Sequence, residues 1–130
     1  MIVVDTSALV ALDRVEPTAF AVGRALRSDS CVISAPTALE LTLVLSRFYG
    51  TEGRAAAENL VDRFSITVLP FGPEDLLYAQ TAFLRYGKGH HPARLNFGDC
   101  ISYALAKRLG APLLYVGEDF GLTDVQTALS

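Results

Sequence analysis

The stretch Ile2-Val3-Val4-Asp5-Thr6-Ser7-Ala8-Leu9 is a β-branched apolar run that ends on a carboxylate and passes directly into residues that cap helices. The run is too short for a helix and carries no polar alternation, as in a strand buried on both faces. A helix over 6–13 follows. The same change of pattern recurs down the chain. Pro17 suits the first turn of a helix to about Ser28, and Cys31-Val32-Ile33 reads as a second strand. Pro36 opens a helix in which Leu41, Val44, Leu45 and Phe48 follow helical spacing, and Gly50 stops it. Thr51 can cap the next helix, which carries Ala55, Ala56, Leu60, Val61 and Phe64. A strand over 66–69 ends at Pro70, and a helix runs from Pro73 to about Tyr86. After a loop over 87–92, the spacing predicts a helix over 98–109 with Gly110 just past its end, then a strand over 113–116. Residues 125–129 read as a last short strand or a frayed tail. Strands alternating with helices predict an α/β fold with a mostly parallel sheet.

A chain of 130 residues with 51% apolar content predicts one domain, over 1–130, with a substantial core. The N-terminus has no basic region or cleavage site of a signal peptide, and no apolar run approaches the roughly 18 residues that span a membrane. Cys31 and Cys100 have no metal-site spacing and read as small buried hydrophobes of a reducing cytoplasm. The formal charge is -3. Bulk charge therefore does not draw the chain to nucleic acid, and any such binding needs a local patch.

Four carboxylates stand out because each interrupts or adjoins an apolar segment. Asp5 ends the first run, Glu40 lies within Ala38-Leu39-Glu40-Leu41, Asp99 opens the segment from Cys100 to Leu109, and Asp119 follows Leu113-Leu114-Tyr115-Val116. Each has an ordinary alternative. Asp5 can simply cap a helix, as Thr6 and Ser7 can. Asp99 can reciprocate a cap made by Asn96. Asp119 can be a turn residue, with Glu118 and Asp124 competing for the fourth position. Glu40 is harder to explain away, since its neighbours place it on or beside a buried helix stripe. In a parallel sheet these points gather at one edge, where ligands bind. Two like charges about 4 Å apart repel by ~4 kcal/mol at an effective dielectric near 20. A divalent cation reverses that penalty, and all-oxygen ligands favour Mg²⁺ or Mn²⁺ over zinc. Such an ion can activate water for attack on a phosphodiester.

Taken as a set, Val3-Val4-Asp5-Thr6-Ser7-Ala8, Ala38-Leu39-Glu40-Leu41, Leu95-Asn96-Phe97-Gly98-Asp99-Cys100 and Leu113-Leu114-Tyr115-Val116-Gly117-Glu118-Asp119-Phe120 resemble the PIN-domain ribonucleases. Among these the chain is similar to the VapC-type toxins of bacterial toxin–antitoxin pairs. The resemblance spans nearly the whole chain. It implies a four- or five-stranded parallel sheet flanked by helices. It also implies a Mg²⁺- or Mn²⁺-dependent endoribonuclease that cuts structured RNA such as tRNA or rRNA. Asp5, Glu40, Asp99 and Asp119 would be the catalytic metal ligands. Thr6 or Ser7 would orient a carboxylate or a water, and Asn96 would support the site from behind. The resemblance further implies a homodimer and a VapB-like antitoxin that covers the site. Leu9, Val10, Phe20, Val22 and Leu26 are apolar enough to line a groove for an antitoxin helix, although ordinary core accounts for most of them.

Arg85, Lys88, His90, His91 and Arg94 form the densest basic stretch, just ahead of Asp99, and no acid falls between Thr81 and Phe97. Such a loop can grip RNA phosphates, or simply be solvated. Three other functions compete. A phosphatase with an aspartyl nucleophile wants a second Asp where Ser7 stands. A receiver domain wants an Asp after the third strand, and 66–70 has none. A catalytically silent PIN-like module would bind RNA without cutting it, even with Mn²⁺.

Overall fold

Four strands and six α-helices alternate in the computed structural model, which describes residues 1–129. Ser130, the last residue of the expected domain, lies outside the described residues. In chain order the elements are β1 (Ile2–Val4), α1 (Thr6–Asp13), α2 (Ala19–Ser28), β2 (Cys31–Ser34), α3 (Ala35–Tyr49), α4 (Gly53–Arg63), β3 (Thr67–Leu69), α5 (Pro73–Tyr86), α6 (Phe97–Leu109) and β4 (Leu113–Leu114). The strands form one parallel sheet in the order β3-β2-β1-β4.

The period of two along each strand distributes the core. Ile2, Val4, Cys31 and Ile33 pack with Leu9, Val22, Leu26, Leu41, Leu45 and Leu60, so α1 to α4 cover one face. Val3 and Val32 point the other way, into a second cluster with Ala82, Tyr86, Cys100, Tyr103 and Leu105 of α5 and α6. The inner strand β1 is apolar throughout because both its faces are covered, whereas the edge strand β3 is largely exposed. Fully buried side chains such as Leu9, Ile33, Leu41, Leu105 and Leu114 each contribute roughly 1.5–3 kcal/mol of burial free energy.

Several expectations change in detail. The helix expected from Pro17 begins at Ala19, and Thr51 lies in a 3₁₀ turn that precedes α4 without capping it. The fourth strand is two residues long, because the Val116 N–H leaves the sheet for the Ser7 hydroxyl. The expected fifth strand is a single parallel bridge between Leu113 and Thr127. Gly110 ends α6 in the left-handed conformation that its position favours (φ 61°). Phe48 is half exposed rather than core, and the Arg14 guanidinium covers its ring at 4.0 Å. Of the residues apolar enough for a groove along α1 and α2, most are ordinary core, as expected. Leu9, Val22 and Leu26 are buried in the first core cluster, Val10 packs against it, and only Phe20 is openly exposed. No helix among the described residues is long and apolar enough to cross a membrane.

α5 and α6 are antiparallel. The guanidinium of Arg108, near the end of α6, donates from Nε to Asp75 Oδ1 at 2.5 Å, near the start of α5. Asp75 is buried, and its Oδ2 accepts from the Gly72 N–H. This brings the end of α5, and the loop that follows it, to the start of α6. Removing one member of a buried pair leaves the other uncompensated. Asp75→Ala is therefore expected to lower unfolding free energy by about 3 kcal/mol in urea titration, and an unchanged midpoint would show the pair to be dispensable.

Candidate active site

β1 lies inside the sheet between β2 and β4, so the direction of strand addition reverses there. In open parallel sheets a cleft forms outside the carboxyl ends at such a reversal. Asp5 is the first residue beyond β1, and its N–H donates to Leu114 O at 3.0 Å, which seats it beside β4. Its side chain is 4% exposed and must be met by donors. Oδ2 accepts from the Ser7 N–H at 3.1 Å and from the Ser7 hydroxyl at 2.6 Å, while Oδ1 accepts from the Ser102 hydroxyl at 2.5 Å. Asp5 thus caps α1 and is also gripped by α6.

Glu40 comes from α3 and is half-buried, with Oε1 accepting from the Thr6 hydroxyl at 2.5 Å. Burial raises its carboxyl above the usual range, the Thr6 bond pulls it down, and the charge of Asp5 raises it again. Asp99 and Asn96 cap α6 reciprocally: Asp99 N–H donates to Asn96 Oδ1 at 2.9 Å, and Asn96 N–H donates to Asp99 Oδ2 at 3.1 Å. Burial pushes the Asp99 carboxyl up to about 6. The Asn96 bond opposes this, and the charges of Asp5, Asp119 and Glu40 add to it. All four expected carboxylates are therefore felt at one place.

Asp119 is exposed, at the start of a 3₁₀ turn over Phe120–Leu122. Its competitor Asp124 is engaged elsewhere: it accepts from the Tyr103 hydroxyl at 2.5 Å and from Lys107 at 3.1 Å, and lies 3.7 Å from Arg85. Glu118 is exposed and does not figure among the charges acting on Asp99.

Among the described residues, no three His, Cys, Asp or Glu side chains close into a ready-made chelate. The carboxylates are near enough for their charges to be felt but remain apart. Their chemistry still suits a hard cation. Mg²⁺ keeps several waters and takes only one or two carboxylates directly, and no hydrogen bond among the described residues reaches Glu40 Oε2 or Asp99 Oδ1. A thiol nucleophile does not fit, since burial pushes Cys100 up to about 11.

The basic stretch folds back on itself through the Gly87–Leu95 bridge and ends at Asn96, at the same end of α6 as Asp99. Lys88, His90 and Arg94 are exposed. The fold supplies the acid that the local sequence lacks, because Arg85 is paired with Asp124. His91 is half-buried, accepts from the Ala93 N–H through Nδ1, and packs edge-on against Tyr86.

Two residues to which the sequence motifs gave no role stand at the site. Ser102 binds Asp5, and Gly98 lies against Glu40, where a Cβ would overlap the carboxylate. Ser102 did leave a signal. It is the one serine in an apolar segment, three residues past Asp99 and so beside it on the helix.

The model of the PIN domain family matches residues 2–125. Ribonuclease VapC36 of Mycobacterium tuberculosis is 47% identical over 126 residues, covering 95% of this chain and 91% of that protein. Ribonuclease VapC of Mycolicibacterium smegmatis is 42% identical over 124 residues, covering 95% and 96%. Among solved structures, the chain resembles VapC20 of M. tuberculosis, described as a Sarcin-Ricin loop cleaving toxin, with a TM-score of 0.78 and 19% identity over the whole of both chains. It also resembles a chain of VapBC2 from Rickettsia felis bound to a DNA fragment from its promoter, with a TM-score of 0.67, 16% identity, and 98% and 96% covered.

The raised Asp99 titration sets a sign for stability. The folded protein keeps this proton up to about pH 6, whereas an unfolded chain releases it near pH 4. Without metal, stability is therefore greatest below this window and falls as pH rises from about 4 to about 6. Asp99→Asn removes that fall and is expected to stabilise the metal-free protein at neutral pH by on the order of 1–2 kcal/mol. Thermal melts in EDTA across pH test this, and a lower melting temperature for Asp99→Asn would contradict the crowding of charge.

Proposed function

The chain belongs to the PIN domain family, among its VapC ribonucleases, and from that premise we propose that it is a metal-dependent endoribonuclease, the toxin of a toxin–antitoxin pair. Its substrate is structured RNA, of the tRNA or rRNA class, and its place of action is the cytoplasm. Residues 1–130 act as one PIN-like domain. The observation that carries this reading is the placement of Asp5, which ends β1 where strand order reverses and is gripped by Ser7 and Ser102, with Glu40 held next to it through Thr6. Burial, and then the charges of Asp5, Asp119 and Glu40, raise the Asp99 carboxyl, which supports a shared site at the sheet edge where ligands bind.

Asp5, Glu40, Asp99 and Asp119 would hold Mg²⁺ or Mn²⁺. An ion held there would supply an activated water and charge neutralisation at the phosphodiester. The chain's own residues prepare the place. Ser7 and Thr6 direct the carboxylates of Asp5 and Glu40, and Asn96 holds Asp99 at the start of α6. Lys88 and Arg94, together with His90 and His91, grip RNA phosphates beside the acids, while Arg85 first has to share its charge with Asp124.

The partners are RNA, a VapB-like antitoxin and a second copy of the chain. Uncovered apolar surface for the two proteins lies in a cleft of about 820 Å³ lined by Leu76, Phe83, Leu84 and Phe97, and in a groove between α3 and α4 lined by Leu39, Val61 and Val68.

Incubating total RNA with the purified chain in Mg²⁺, Mn²⁺ or EDTA tests the reading. Discrete fragments that require metal and disappear with Asp5→Asn or Asp99→Asn are expected. RNA bound but uncut in every condition would favour the silent module instead. Lys88→Ala and Arg94→Ala should each raise KM a few-fold and flatten its salt dependence, with kcat little changed. A fall in kcat alone would remove these residues from substrate binding.

A further inference from the structure

Ser102 is 1% exposed, and a hydroxyl buried so completely needs partners. It finds one 97 residues away in the chain, donating to Asp5 Oδ1 at 2.5 Å. Thr37 of α3 completes the arrangement, with its hydroxyl oxygen 3.4 Å from that of Ser102. Ser102 spends its proton on the carboxylate, so Thr37 is the donor in this longer contact. A carboxylate offers about four acceptor positions. Ser7 fills two on Asp5 Oδ2 and Ser102 fills one on Oδ1, leaving one position on Oδ1.

Gly98 lies four residues earlier in α6, and so on the same face. Its backbone is not left-handed, so conformational freedom does not require glycine there. A glycine inside a helix costs roughly 0.5–1 kcal/mol relative to alanine. What the position does require is room, since a Cβ would overlap Oε2 of Glu40. The other oxygen of Glu40 is held by Thr6. One face of α6 thus meets two carboxylates that come from other elements.

We propose that this face aligns the site, with Ser102 and Gly98 as positioning residues that leave Asp5 and Glu40 each presenting one oxygen to a divalent cation. The inference rests on the metal-dependent reading above. It makes α6 more than the carrier of Asp99: the helix also sets the acids that face it from β1 and α3.

The test is calorimetric titration of Mn²⁺ into the full chain and its Ser102→Ala, Ser102→Thr and Gly98→Ala variants, beside thermal melts in EDTA. Ser102→Ala and Gly98→Ala are expected to bind Mn²⁺ about 10- to 100-fold more weakly while still melting cooperatively, and Ser102→Thr, which keeps the hydroxyl, should recover most of the loss. A purely structural role would lower the melting temperature and leave Mn²⁺ affinity intact, which would overturn the proposal. Equal weakness of Ser102→Thr and Ser102→Ala would count against the hydroxyl. Should Ser102→Ala fail to fold, Gly98→Ala at the partly exposed start of α6 decides alone. A wild-type chain that binds Mn²⁺ but cuts no RNA would overturn the nuclease reading and leave the alignment standing, whereas one that binds no Mn²⁺ would overturn both.

Discussion

A buried carboxylate that must be satisfied on every side governs the architecture. Asp5 is nearly closed to solvent, and its donors come from the first turn of α1 and from the middle of α6. Ser7 extends the demand by accepting from the Val116 N–H while donating to Asp5. That bond ends β4 after two residues and turns the chain toward Asp119. Hydrogen bonds that share a hydroxyl polarise one another in a low-dielectric setting, so the exit from β4, the start of α1 and the face of α6 are positioned together.

The sheet makes this convergence affordable in packing terms. Because side chains alternate along β1 and β2, two separate helical layers are anchored to the same three or four residues of strand. Glu40 arrives from one layer and Asp99 from the other. Both lie by Asp5, at the carboxyl end of β1. Like charges collect there at a cost, and the cost is visible at Asp99. A site that stores repulsion when empty gains it back as affinity for a cation.

The acids after β4 separate into two roles. Asp124 joins Tyr103, Lys107 and Arg85, pinning the C-terminal segment to α5 and α6. Asp119 has no such partner among the described residues, is exposed, and lies near enough to Asp99 for its charge to raise that carboxyl. Five residues apart, they differ because one meets cations on a helix face and the other does not. The basic loop before α6 shows the same division, with Arg85 drawn into the structural cluster and Lys88 and Arg94 left outward.

Local pattern settled a good part of this in advance. The apolar run at Ile2–Val4, the helical spacing in α3 and α6, and the reciprocal cap of Asn96 and Asp99 depend on neighbours a few residues apart, so α/β alternation and the edge position of Asp5 were legible in the sequence. Asp5, Glu40, Asp99 and Asp119 could be singled out as candidates in the same way, because charge inside apolar segments is costly wherever it occurs. What the sequence could not decide were relations across the sheet. The pairing of Arg85 with Asp124, the single bridge from Leu113 to Thr127, and the contacts of Ser102 and Gly98 with Asp5 and Glu40 all join residues far apart in the chain. Periodicity reports which face of an element is apolar, but only the packing of one element against another decides what that face meets.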